Sequence, residues 1–309
     1  MIESMYQVQR ESHSLWVPLR GCQYHVRQWG NAAIGATPLV LAHGWMDVAA
    51  SWQFMVDAFS EAYAADRPII AMDWRGYGLT QAPVTDSYWF PDYLADLDAL
   101  LDALYPEQTI DLVGHSMGGN VVMMYAGSRP ERIRRLVNLE GFGLPTTRPS
   151  QAPGRMSQWL DELKAQRNGD NALKPYADAA GVAARLMKTN RRLGQDQAQW
   201  LAQHWAREQA DGQWHILGDA AHKVVNPYLF HVEEALAMYS RISAPVLAVE
   251  ASDDSLGQWW KGRYTLEEFH ERLKSVPQLT QALISDAGHM LHHDQPQALA
   301  ALIENFTKT

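Results

Sequence analysis

The stretch Ile110-Asp111-Leu112-Val113-Gly114-His115-Ser116-Met117-Gly118-Gly119-Asn120-Val121-Val122-Met123-Met124 decides how this chain is read. An apolar β-like run halts at a G-x-S-x-G pentapeptide and resumes as an apolar helical pattern, which puts Ser116 on the corner between strand and helix. Gly114 and Gly118 tolerate the strained turn and the close packing that a larger residue would block, so the hydroxyl is presented above the sheet edge. The following helix then aims its unpaired N–H groups and partial positive charge at whatever Ser116 attacks. A bare G-x-S-x-G string is a common accident; its strand-to-helix context is what gives it meaning.

Outward from this corner the same alternation repeats. Leu39-Val40-Leu41-Ala42, Ile69-Ile70-Ala71-Met72, Leu136-Val137-Asn138-Leu139, Val246 to Val249 and Ala282-Leu283-Ile284 are short apolar runs without clean alternation, as expected of strands covered on both faces. Ser14 to Leu19 and Gln23 to Trp29, joined by Arg20-Gly21-Cys22, read as an antiparallel hairpin. Ser51 is placed to cap a helix carrying Trp52, Met55, Val56 and Phe59, and Leu94, Leu97, Leu100, Leu101 and Leu104 form a second stripe with Asp92, Asp96, Asp98 and Asp102 on the remaining faces. Strands alternating with helices imply an α/β fold with a parallel sheet and ligands bound beyond the carboxyl ends of its strands.

The alternation lapses over residues 144–243. A Pro-rich connector (Pro145, Pro149, Pro153) leads into helical segments around Met156 to Gln166, Val182 to Asn190, Gln195 to Glu208 and Pro227 to Tyr239. This span reads as a helical cap inserted into a core of residues 1–143 and 244–309. Trp159, Trp200, Trp205 and Trp214 are expected mostly to pack the insert onto the core, with one or two free to line a pocket.

Bulk properties fit an enzyme. The 309 residues are 47% hydrophobic, and 26 basic against 35 acidic residues give a net charge of −9 with no basic run, which disfavours a nucleic-acid partner and favours small molecules. The single cysteine, Cys22, excludes an internal disulfide and fits a reducing compartment. No apolar run approaches the roughly 18 residues needed to span a bilayer, and Met1 to Gln7 lack the pattern of a secretory leader, so a cytoplasmic location is expected.

A serine hydroxyl needs a base, and the base a carboxylate that orients it. His289 is the best-placed histidine, on the loop Asp286-Ala287-Gly288-His289 that follows a strand. The H-x-x-H-H-D string around it is discounted as a metal site because no separate ligand cluster accompanies it, and neither metal nor cofactor is expected. For the acid, the loop after Val249 offers Glu250, Asp253 and Asp254, while Glu140 ends the run Leu136 to Leu139; the order of preference is Asp254, then Glu140, then Asp253. Acyl transfer also needs N–H donors for an oxyanion, each worth about 3 kcal/mol of barrier. Met117 N–H follows the serine, and Gly44 lets the chain turn so that Trp45 N–H faces the site. His43 is read as a structural hydrogen-bonding residue and Asp73-Trp74-Arg75-Gly76-Tyr77-Gly78 as a rigid turn.

Taken together, His43-Gly44-Trp45, Asp73-x-Arg75-Gly76-x-Gly78, Gly114-His115-Ser116-Met117-Gly118 and Gly288-His289 resemble the α/β-hydrolase superfamily, in its order and over nearly the whole chain outside the insert. The resemblance implies an eight-stranded, mostly parallel sheet with a cap after the sixth strand. It also favours Asp254, because Ala251-Ser252-Asp253-Asp254 aligns with the G-x-x-D that members commonly carry after the seventh strand, with Ala251 replacing the glycine. Epoxide hydrolases and haloalkane dehalogenases of similar build carry an aspartate where this chain has Ser116. The expectation is therefore a serine carboxylester hydrolase acting on small to medium soluble esters. The alternatives are a carbon–carbon bond hydrolase, favoured if Arg185, Arg191 or Arg192 line the pocket, and a non-catalytic ligand-binding protein.

Overall fold

The computed structural model describes residues 5–30, 36–65 and 67–308; Met1 to Ser4 of the N-terminal stretch read above lie outside them. In chain order the strands are β1 (His13–Leu19), β2 (Cys22–Trp29), β3 (Leu39–Ala42), β4 (Ile69–Met72), β5 (Ile110–His115), β6 (Ile133–Leu139), β7 (Ala206–Glu208), β8 (Trp214–Ile216), β9 (Val246–Ala251) and β10 (Leu279–Ile284). The helices are α1 (Gln53–Ala58), α2 (Glu61–Ala65), α3 (Phe90–Leu104), α4 (Met117–Ser128), α5 (Ala152–Arg167), α6 (Ala179–Thr189), α7 (Gln195–Trp205), α8 (Val232–Ser240), α9 (Ser255–Trp260), α10 (Leu266–Leu273), α11 (Leu291–Asp294) and α12 (Pro296–Lys308).

Eight strands form one sheet in the order β1-β2-β4-β3-β5-β6-β9-β10, in which β2 is antiparallel to both its neighbours and the pairs from β4 to β10 are parallel. This is the α/β-hydrolase fold. Its apolar runs lack alternation because both faces are covered. Val40, Ile70, Leu112, Leu136 and Val246 pack with α3, α4, α8 and α10 on one side, whereas Leu39, Leu41, Ile69, Val113 and Leu247 pack with α1 and α12 on the other. Each fully buried side chain of this size contributes roughly 1.5–3 kcal/mol, so the two layers clamp the central strands.

Three expectations are corrected here. Ser51 caps no helix: it lies in a buried 3-10 turn, Ala49–Trp52, and its hydroxyl meets His292 and His293. Asp96, placed above on a face outside the apolar stripe, is fully buried, accepting from Arg20, Arg75 and the Tyr24 hydroxyl, so its carboxylate is compensated by two guanidinium groups. The segment 144–243 is not purely helical, since α7 ends at Trp205 and the chain returns as the antiparallel hairpin β7–β8. Within that segment α8 begins at Val232 rather than Pro227, because the Asn226 side chain accepts from Tyr228 N and closes a turn around the proline. The α8 helix also packs on α4, where Gly127 meets the Met238 backbone.

The site depends on one close approach. A Cβ on Gly118 would lie 2.2 Å from the Ala42 carbonyl oxygen at the end of β3, so Gly118→Ala must push α4 away from the sheet. We expect it to destabilise the fold by about 1–3 kcal/mol. Gly154, in the first turn of α5, has nothing within 4 Å of its Cβ position, and Gly154→Ala should instead stabilise by about 0.5 kcal/mol. Urea denaturation of the two variants checks both signs.

Candidate active site

Ser116 stands between β5 and α4 with φ +53° and ψ −115°, a strained conformation for a residue with a Cβ. Two backbone bonds hold it: Ser116 N donates to the Leu139 carbonyl at 2.9 Å, and the Ser116 carbonyl accepts from Asn120 N at 3.0 Å. Across from it, a Cβ on Gly44 would sit 3.2 Å from Ser116 Cβ, so the glycine lets the turn after β3 close over the serine. Trp45 follows that glycine and Met117 opens α4, whose first N–H groups have no partner within the helix.

The histidine arrives on the loop after β10. His289 Nδ1 donates to Glu140 Oε2 at 2.8 Å, which leaves its Nε2 as the basic nitrogen. Glu140 follows β6 directly, in a left-handed conformation (φ +52°) that turns its side chain beneath the loop, and its other oxygen accepts from Ala251 N at 2.9 Å. Both oxygens of this 1%-exposed carboxylate are thus engaged. Desolvation raises the Glu140 pKa, with the Ala251 N–H opposing it, and burial pushes the His289 imidazole down from 6.5, keeping it neutral at pH 7. His115 ties this loop to the serine: its Nε2–H donates to the His289 carbonyl at 2.7 Å, and the two rings lie 4.7 Å apart.

The acid expected first, Asp254, is elsewhere. It caps α9, accepting from Gly257 N at 2.7 Å. Asp253 receives both terminal nitrogens of Arg192, at 2.7 and 3.2 Å, and Glu250 pairs with His270 at 2.7 Å. The loop that was read as the source of an acid instead supplies Glu140 with a donor, the Ala251 N–H. The signal for Glu140 lay in Leu139-Glu140-Gly141, an acid placed at the carboxyl end of a buried strand.

The expectation of no ligand cluster around H-x-x-H-H-D is also corrected. Asp47, His292 and His293 are buried and bring a carboxylate oxygen and two imidazole nitrogens within 4.8 Å of one another, a set able to face a divalent ion. However, the Ser51 hydroxyl already lies 2.6 Å from His293 Nε2 and 3.1 Å from His292 Nε2. Those are hydrogen-bond lengths, and the hydroxyl bridges the two rings where a metal would sit at about 2 Å from each. His289 and Asp294 of the same string point away, Asp294 accepting from Gly288 N at 2.8 Å and Asn190 at 2.7 Å. His43, read as structural, accepts from Trp74 N through its Nε2 at 3.1 Å.

Residues 37–296 match the family model for the alpha/beta hydrolase fold. The chain belongs to the α/β-hydrolase family. It is 26% identical over 296 residues to a serine hydrolase-like protein of Danio rerio, an alignment covering 94% of this chain and 85% of that one. Over 115 residues, 36% of this chain and 40% of the relative, it is 36% identical to a 2-hydroxy-6-oxo-2,4-heptadienoate hydrolase of Pseudomonas putida. The thioesterase domain from the curacin biosynthetic pathway superposes with a TM-score of 0.79 at 23% identity, over 95% of this α/β-hydrolase and 99% of that chain. Among the described residues, no helix is long and apolar enough to cross a membrane.

The buried histidines give this α/β-hydrolase a pH signature. Desolvation lowers the pKa values of His43, His115, His292 and His293. The unfolded chain therefore takes up protons near pH 6.5 that the native state refuses, and stability falls as pH drops below that value, by up to about 1.4 kcal/mol per pH unit for each histidine. Urea denaturation should show this loss between pH 7 and 5.5, above the main carboxylate range, and a shallower slope in His293→Gln; a flat profile in the parent would contradict it.

Proposed function

We propose that this α/β-hydrolase is a serine carboxylester hydrolase that works through an acyl-enzyme. The hydrogen bond from His289 Nδ1 to the buried Glu140 carboxylate carries the reading, because it leaves Nε2 free on the loop that His115 fastens beside Ser116. In this mechanism His289 takes the Ser116 proton as the hydroxyl attacks the ester carbonyl, and the imidazolium returns it to the departing alkoxide. Water, deprotonated by the same nitrogen, then hydrolyses the acyl-enzyme. Glu140 fixes the tautomer and stabilises the imidazolium. The N–H groups of Trp45 and Met117 hold the oxyanion, with Ser116 raised toward them by its strained turn.

The Danio rerio relative, by its name, supports the serine chemistry, and the Pseudomonas putida relative keeps carbon–carbon hydrolysis as the second reading. That second reaction needs a cation for a charged substrate. Of the three arginines that could supply it, Arg192 is spent on Asp253 and Asp286 and Arg185 turns back onto Thr189, while Arg191 stays exposed.

A fluorophosphonate probe should label Ser116, and Ser116→Ala should lose labelling and at least about 10³-fold in kcat/KM on soluble esters. Glu140→Gln should lower kcat by about 10³–10⁴-fold, as expected when the orienting carboxylate is removed, while Asp254→Asn stays within about three-fold of the parent. The reverse ranking would return the acid to Asp254. Because burial pushes the His289 pKa down, the acid limb of kcat/KM should lie below pH 6.5, activity falling as the base is protonated.

A further inference from the structure

The indoles of Trp29, Trp52 and Trp74 are inaccessible. Four indoles are exposed, those of Trp16, Trp45, Trp89 and Trp259, and two of them, Trp45 and Trp259, adjoin the candidate site. Trp45 is 52% exposed and Trp259 47% exposed. Trp45 emerges from the turn that Gly44 closes over Ser116, and its Nε1 donates to the His222 carbonyl at 3.4 Å, which fixes the ring on the side of the inserted segment. Trp259, on α9, meets the His289 ring with centroids 4.4 Å apart at 85°, and is braced by Phe142 at 6.4 Å. One indole thus grows from the turn that faces Ser116, and the other lies against the His289 ring. Their exposure leaves apolar, π-rich area uncovered next to the reacting atoms.

Charge narrows the occupant. Arg192 is held by Asp253 and Asp286, and Arg272 by Glu268 and the Leu144 carbonyl, so these neighbouring guanidinium groups are committed within the protein. We propose that Trp45 and Trp259 form a subsite for an uncharged aromatic ring of the ester, recognised by stacking and edge contacts. This rests on the serine-hydrolase reading above and adds the substrate class to it.

The test compares esters matched in leaving group and close in size that differ in flatness, methyl phenylacetate against methyl cyclohexylacetate and benzyl acetate against cyclohexylmethyl acetate, with monomethyl succinate as the anion. Each is measured by pH-stat on the full chain and on Trp45→Ala, Trp259→Ala and Trp259→Phe. We expect the parent to favour an aryl member by at least about ten-fold in kcat/KM. That ratio should collapse towards one in Trp45→Ala and Trp259→Ala and be retained in Trp259→Phe. Because the ratio is internal to each variant, partial loss of folded protein does not move it. A fluorophosphonate probe separates the two levels. Labelling with no aryl preference, with a preference for the anion, or with a ratio unchanged in both alanine variants overturns the subsite alone. Absence of labelling overturns the serine reading, and the subsite with it.

Discussion

No side chain fits where Gly118 meets the carbonyls of Ala42 and His43, and the geometry of the site follows from that contact. It brings the first turn of α4 against the end of β3, which forces the chain at Ser116 into a positive φ and points the serine away from the sheet. Gly114 is the complementary half, since a Cβ there would strike the Gly118 backbone at 2.4 Å. The strain at Ser116 costs on the order of 1–3 kcal/mol and persists because β5 is buried between β3 and β6. Sheet packing, outside the candidate site, thus holds Ser116 in an unfavourable conformation.

A second constraint is the burial of polarity at the carboxyl ends of the strands. A carboxylate as enclosed as Glu140 is tolerable only when its oxygens are paired, and β6 and β9 accomplish this by running side by side, so that Ala251 N–H meets one oxygen while the His289 loop meets the other. Behind them, desolvation lowers the pKa values of His115, His292 and His293, whose successive rings lie 4.3–4.5 Å apart, and the Ser51 hydroxyl bonds to the last two. Neutral imidazoles fill this space with donors and acceptors at a lower burial cost than charges. The stability loss expected in acid and the orientation of His289 therefore share one origin, buried polarity at the strand ends.

The strands, their order along the chain, Ser116 and the loop bearing His289 were legible because each is written locally: apolar runs, glycines at a corner, a histidine after a strand. The partner of His289 was not. Asp254 sits where a linear comparison puts an acid, yet its side chain turns onto Gly257 N, and the choice between it and Glu140 depends on which strands lie side by side. The same lateral logic hid Asp96, whose guanidinium partners come from residues 20 and 75, and the Asp47–His292–His293 cluster, whose members are more than 240 residues apart in part. The hairpin β7–β8 was missed for a local reason: Ala206-Arg207-Glu208 continues the polar helical pattern of α7, and only pairing with Trp214-His215-Ile216 makes it a strand.

Lateral contacts also join residues 144–243 to both sides of the candidate site. Trp205 of α7 donates to the Met46 carbonyl at 3.1 Å, in the left-handed residue that ends the turn bearing Trp45. His222 is sandwiched between Tyr77 and Tyr88, with ring centroids 3.8 and 3.7 Å away, and Leu217 to Asp219 pair with Gly76 to Gly78. On the far side Asn190 and Arg192 hold Asp294, Asp253 and Asp286, the residues that bracket His289. The half-exposed ion pairs among these are weak individually. Their geometry matters more than their energy, because the turn beside Ser116 and the loop bearing His289 are fastened to the same segment, residues 144–243. A rearrangement of that segment as a whole would therefore disturb the surroundings of Ser116 and His289 together.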